Sequence, residues 1–92
     1  MTQQYIVGEF SSLLGRLQPV PSARLGNALN DLRQDVELGS LPMLPRLAQE
    51  AMAFTDVICW VALEEGDLNG FSRYASTAVA LREFTVSANL LP

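Results

Sequence analysis

The chain has 92 residues, a mass of 10.1 kDa and a formal net charge of −4, from 10 acidic and 6 basic side chains. This length suits one small domain and is too short for two. The basic residues are all arginines, there is no histidine, and the one cysteine is Cys59. These counts exclude imidazole chemistry, lysine Schiff bases and an internal disulfide, so we expect a non-enzyme without cofactor or metal.

The balance of charged and apolar residues restricts the possible partners. An acidic chain is a poor match for nucleic acid or for an anionic membrane surface. Charged residues make up only 17% of the chain and hydrophobic residues 49%, whereas ordinary domains have about 25% charged residues. Because a small domain has a large surface for its volume, this deficit predicts that a partner, most simply a second copy, covers part of it.

The expected location is the cytoplasm. The first residues lack the positive segment of a signal peptide. The longest apolar stretch, residues 51–63, is too short to span a bilayer. A single thiol without a pairing partner is typical of a reducing compartment.

The first half of the chain shows helical rather than strand periodicity. One apolar stripe predicts a helix over residues 3–18 that ends before Pro19; it consists of Ile6, Phe10, Leu13 and Leu17. A second predicts a helix over residues 22–38, with Ser22 as N-cap and Gly39 as a left-handed C-cap. This second stripe consists of Leu25, Leu29, Leu32 and Val36.

The second half predicts two more helices. The third covers residues 43–65, with Gly66 as its cap and an inner seam of Leu44, Leu47, Ala51, Phe54, Ile58 and Val61. The fourth covers residues 69–88, with Asp67 or Asn69 as N-cap and Arg73 on the outside. Its inner stripe is Phe71, Tyr74, Ala78, Leu81 and Thr85. The apolar tail Leu90-Leu91 either packs back or meets a partner.

Short connections between helices of this length favour antiparallel neighbours. The sequence therefore predicts one all-α domain over residues 1–92, an antiparallel up-down-up-down four-helix bundle.

The outer face of the third helix is the main candidate site. It carries Met52, Asp56, Cys59, Trp60 and Leu63, of which only Asp56 is charged. Tryptophan and methionine are enriched at the centres of protein interfaces, so we interpret these residues as a subunit or partner interface. The alternative is that the face is simply core. We expect Cys59 to be a buried structural thiol. We expect Asp56 either to pair with an arginine of another helix or to lie at the edge of the interface.

Two local patterns have alternative interpretations. Small residues in the first helix, at Gly8, Ser11, Ser12 and Gly15, fit a tight crossing inside the bundle, a self-packing face or a ligand groove. The segment Glu65–Gly70 imitates the start of a calcium loop, but its twelfth position is Ser76 rather than a bidentate carboxylate. We interpret it as a glycine-capped helix end followed by a new N-cap.

The best functional hypothesis is a non-enzymatic interaction module, such as an adaptor, regulator or inhibitor-type partner. This hypothesis predicts a homodimer through the third helix or through the small-residue face of the first. A different protein is a possible second partner. The alternative is a carrier that holds a hydrophobic ligand between Phe10, Phe54, Phe71 and Trp60. An enclosed apolar cavity would favour the carrier, a filled core the interaction module, and a polar cleft at Asp56 an enzyme.

Overall fold

The computed structural model describes residues 2–91, which form the helices α1 (Gln3–Gly15), α2 (Ala23–Leu38), α3 (Leu44–Glu64) and α4 (Leu68–Ser87). A single turn of 3-10 helix, Leu41–Met43, leads into α3. Each helix packs on its neighbours in sequence, α1 also packs on α4, and the broadest contact joins α3 to α4. The bundle measures 39 × 23 × 17 Å. The predicted all-α fold with four bundled helices is confirmed.

Side-chain caps set the starts of three helices. Thr2, Ser22 and Asp67 each accept a hydrogen bond from the backbone N–H three residues later, at 3.2, 3.2 and 2.8 Å. Each bond satisfies an amide that a helix N-terminus leaves without an intrahelical partner. Of the two caps predicted for α4, Asp67 is therefore the one used, and the helix begins at Leu68. A Cβ on Gly70 would overlap the Asp67 carboxylate, so a larger residue here would require the capping side chain to shift.

Helix α1 ends at Gly15, three residues before the predicted end at Gln18. Beyond Gly15 the amides of residues 16–18 donate to the carbonyls of residues 13–15, at 3.1–3.2 Å, so the chain tightens into 3-10 geometry. Pro19 disfavours helical backbone at the residue before it, so the helix cannot continue.

Two side chains of α4 bind this end of α1. The guanidinium of Arg73 donates to the carbonyl oxygens of Gln18 and Pro19, each at 2.8 Å. The Tyr74 hydroxyl also donates to Pro19, at 2.8 Å. Arg73 is half-buried at the surface of the bundle, and its contact with the end of α1 was not predicted. Carbonyl groups left free at a helix end attract a guanidinium, and the amphipathic period of a helix does not predict such a contact.

The two predicted glycine caps work differently. Gly66 has the expected positive φ of 72°, and the amides of Gly66 and Asp67 donate to the last turn of α3 at 3.1 and 2.9 Å, a Schellman motif. Gly39 is not left-handed; its φ is −69° and its ψ is 142°. A Cβ there would lie 2.8 Å from the Asp35 carbonyl oxygen and 3.2 Å from Leu47 Cδ1, so close packing requires the glycine.

The core is filled by side chains from the inner stripes of all four helices. The large apolar residues with no exposed surface are Phe10, Leu14, Leu17, Leu29, Val36, Leu44, Ile58 and Leu81. The seam of α3 is rotated relative to the prediction, because Phe54 and Val61 are only half-buried and Thr55 and Ala62 lie inward. Thr55 tolerates complete burial because its hydroxyl donates to the Met52 carbonyl at 2.7 Å.

The C-terminal tail packs back on the bundle. Asn89 takes a positive φ of 60°, and the Leu90 amide donates to the Thr85 carbonyl at 2.8 Å. The Leu90 side chain is 8% exposed and belongs to the core. Of the two outcomes predicted for the tail, docking is therefore the one observed.

Candidate interaction surface on the third helix

Trp60 points away from the core of the bundle. Ile58 and Ala62, two residues before and after it, have no exposed surface, and 100° of rotation per residue places Trp60 on the opposite side of α3. The Trp60 side chain is 65% exposed, and next to it Val57 is 49% and Leu63 42% exposed. Single exposed apolar side chains are common on protein surfaces, but neighbouring ones that form a patch are typical of an interaction site.

The structure places the five predicted interface residues at two depths. Asp56, Trp60 and Leu63 are exposed, whereas Met52 and Cys59 are half-buried and pack against the core. Two further exposed residues of this side, Ala53 and Val57, were not predicted. The sequence does contain a signal for them, since both lie at helical spacing (three and seven residues) before Trp60. We call Ala53, Asp56, Val57, Trp60 and Leu63 the α3 outer face.

Cys59 is a thiol in an unreactive setting. Burial raises the pKa of the Cys59 thiol, and the negative charge of Asp56 raises it further. Both effects oppose formation of the thiolate, which is the nucleophilic form. No cluster of three or more His, Cys, Asp or Glu residues suited to a metal lies within residues 2–91. The segment Glu65–Gly70, which imitates the start of a calcium loop, connects α3 to α4. It ends α3 at a glycine cap and begins α4 at the N-cap Asp67, as predicted.

Opposite charges flank the α3 outer face along the helix. Arg46 lies in the first turn of α3 and pairs with Glu50 at 3.3 Å, with its own side chain 75% exposed. At the other end Glu64 is the last residue of the helix, and Glu65 and Asp67 follow it, all three exposed. One end of the face is therefore strongly acidic, and the other carries the one arginine of α3.

The small residues of α1 do not form one packing face within the bundle. Gly8 and Ser12 are exposed, and a Cβ on Gly8 would meet nothing within 4 Å, so the interpretation as a tight internal crossing is wrong for these two residues. Gly15 does allow a close approach, because a Cβ there would lie 3.2 Å from the guanidinium of Arg33. Contact of Gly8 and Ser12 with a second copy stays a prediction.

The four aromatic residues proposed to hold a ligand do not line one space. Phe10 has no exposed surface and packs edge-on against Phe84, with 6.3 Å between ring centroids. Trp60 lies on the outside of the bundle. An open groove of about 590 Å³ lies instead beside the connection from α1 to α2, and its lining includes Pro19, Val20 and Gly26.

Comparison of the chain with protein-family models, with curated proteins and with solved structures gave no match. None of the helices within residues 2–91 is both long and apolar enough to cross a membrane.

Proposed function

We propose that this chain is a non-enzymatic interaction module that forms a homodimer through the α3 outer face. The observation that carries the proposal is the exposure of Trp60, at 65%, from a helix whose opposite side is completely buried. Tryptophan is one of the residue types enriched among the side chains that dominate binding energy at interfaces. Val57 and Leu63 extend the apolar contact area to either side of it.

The composition of the chain supports the same proposal. Only 17% of residues are charged, so a monomer would expose an unusually apolar surface for its size. Symmetric dimers are the commonest closed assemblies, and they need one self-complementary patch rather than two different ones. A different protein that presents an apolar groove is the second kind of partner for this face, and basic groups on it would suit the net charge of −4.

A reducing compartment such as the cytoplasm fits this role. The thiol of Cys59 is half-buried beside the outer face, and its raised pKa keeps it protonated. In such a compartment the thiol is a packing group and not a cross-link.

Size-exclusion chromatography with light scattering over a range of concentrations tests the proposal. We expect a mass near twice 10.1 kDa, falling to the monomer in Trp60→Asp with unchanged helicity. Leu38→Asp is the matched control, since Leu38 is 87% exposed at the end of α2, and it should remain a dimer. A wild-type monomer at every concentration, or a Trp60→Asp variant that unfolds, contradicts the proposal.

Fluorescence gives an independent measurement, because Trp60 is the one tryptophan of the chain. Burial of its ring at an interface should shift the emission to shorter wavelength as the concentration rises. Emission that stays at the wavelength of a hydrated indole while the mass doubles would place the dimer interface elsewhere.

A further inference from the structure

Arg46 and Glu64 lie on the same side of α3, near its two ends. They are 18 residues apart, which is about five turns of an α-helix, so their side chains leave the helix in the same direction. Ala53, Val57 and Trp60 lie between them on this side of α3. The exposed side of α3 is therefore an apolar strip with a cation near its start and an anion at its end.

Neither of these charges suits its own helix. The dipole of an α-helix favours acidic residues in the first turn and basic residues in the last. In α3 the first turn holds Arg46 and the last residue is Glu64, with no acidic residue in the first turn and no basic residue in the last. Within residues 2–91 Arg46 pairs only with Glu50, and Glu64 makes no ion pair. The helix dipole therefore accounts for neither charge, and Glu64 has no ion-pair partner within the described residues.

We infer, resting on the proposed self-association, that two copies pack with their α3 helices antiparallel about a two-fold axis that crosses the exposed side of α3 at the level of residue 55. Thr55 is the midpoint between Arg46 and Glu64, so this axis brings Arg46 of each copy opposite Glu64 of the other. A parallel arrangement would instead place arginine against arginine and glutamate against glutamate. The charge pattern of the face therefore selects a second, reversed copy as its occupant.

The same register gives Trp60 a defined packing position. Since residue 55 is the midpoint of the contact, Trp60 of one copy lies opposite residue 50 of the other. In this type of helix packing a side chain inserts between four residues of the facing helix, at positions i, i+3, i+4 and i+7. These four are Arg46, Gln49, Glu50 and Ala53, all exposed in the single chain. The small Ala53 leaves room for the indole ring, and the Arg46 guanidinium lies within reach of its π face.

Charge reversal with light scattering as readout tests the arrangement. Arg46→Glu and Glu64→Arg both match the helix dipole. Arg46→Glu also replaces the pair with Glu50 by two like charges, a change of about a few tenths of a kcal/mol, so circular dichroism first checks that each variant keeps its helicity. Each replaces two attractions in the symmetric dimer by two repulsions, and the dimer dissociation constant should rise about tenfold or more, less so at high salt. The double variant Arg46→Glu/Glu64→Arg restores both contacts and should return to wild-type affinity.

Arg24→Glu is the matched control, because Arg24 lies exposed in the first turn of α2. Single reversals that weaken the dimer more than this control, together with rescue in the double variant, support the antiparallel arrangement. If Trp60→Asp dissociates the dimer but the reversals act only like the control, or the double variant shows no rescue, the arrangement is wrong and self-association stands. A wild-type chain that is monomeric throughout overturns both.

Discussion

The guanidinium of Arg73 on α4 donates a hydrogen bond to the carbonyl oxygen of Pro19, 2.8 Å away and 54 positions earlier in the chain. The other terminal nitrogen of the same side chain reaches the carbonyl of Gln18 at 2.8 Å and that of Leu17 at 3.2 Å. These carbonyls follow the end of α1 and have no further helix to pair with. Arg73 therefore links the end of α1 to α4, the first helix of the bundle to the last.

Replacement of this arginine should destabilise the fold. Arg73→Met keeps much of the aliphatic side chain but leaves the Leu17 and Gln18 carbonyls without the guanidinium, while the Pro19 carbonyl keeps the Tyr74 hydroxyl as donor. We expect a loss of about 1–2 kcal/mol of unfolding free energy. Chemical denaturation followed by circular dichroism measures it. Arg24→Met is the control, since Arg24 is exposed on α2, and it should change the stability by less than about 0.5 kcal/mol. Equal losses in both variants would show that the Arg73 contacts contribute nothing.

The sequence predicted the helices better than their ends and their contacts. Apolar spacing and the Ser22 cap located α2 correctly, and Gly66 located the end of α3, because these signals act within one turn of backbone. The conformation of Gly39 was predicted wrongly and the contacts of Arg73 were not predicted, because both depend on other helices or on the path of the chain. Local periodicity carries no information about such contacts.

The candidate site was also predictable only in part. The outward direction of Trp60 follows from the period of α3 and was predictable. The half-buried depth of Cys59 depends on how closely the neighbouring helices approach, which the sequence does not specify. The common direction of Arg46 and Glu64 follows from the predicted helix over residues 43–65, whereas the exposure of both side chains and the missing ion pair of Glu64 depend on the tertiary structure.

Two glycines should respond to alanine with opposite signs. Gly8 lies inside α1 with open space around it, so Gly8→Ala should stabilise the fold by about 0.5–1 kcal/mol. Gly66 has a φ of 72°, and Gly66→Ala should cost about 1–2 kcal/mol because an L side chain is strained there. Thermal unfolding of both variants checks the pair. A destabilising Gly8→Ala would show that this position contacts something, such as a second copy.

The docked tail should contribute to stability. Leu90 is 8% exposed and packs in the core, so Leu90→Ala should cost about 2–3 kcal/mol. Leu38→Ala is the control, because that side chain is 87% exposed and its loss removes little contact. Denaturant midpoints of the two variants give the comparison. A Leu90→Ala variant as stable as the control would mean that the tail is not held in solution.

The pH dependence of Cys59 alkylation should distinguish the two causes of its raised pKa, burial of the thiol and the negative charge of Asp56. Because both causes raise the pKa of the thiol, alkylation by iodoacetamide should become fast only at a higher pH than for a free cysteine. Asp56→Asn removes the smaller cause and should move the profile part of the way back, whereas Glu83→Gln, on α4, should not move it.

The sign of the accompanying stability change follows from the same shift. The folded state holds the Cys59 proton more tightly than the unfolded chain does, so the free energy of unfolding should fall as the pH rises through the alkaline range. Cys59→Ala should remove this contribution to the alkaline decline, with little effect on the pH dependence near neutrality. If Asp56→Asn returned the alkylation profile fully to that of a free cysteine, burial would not be the larger cause, and Cys59 would lie closer to solvent than its contacts with the core indicate.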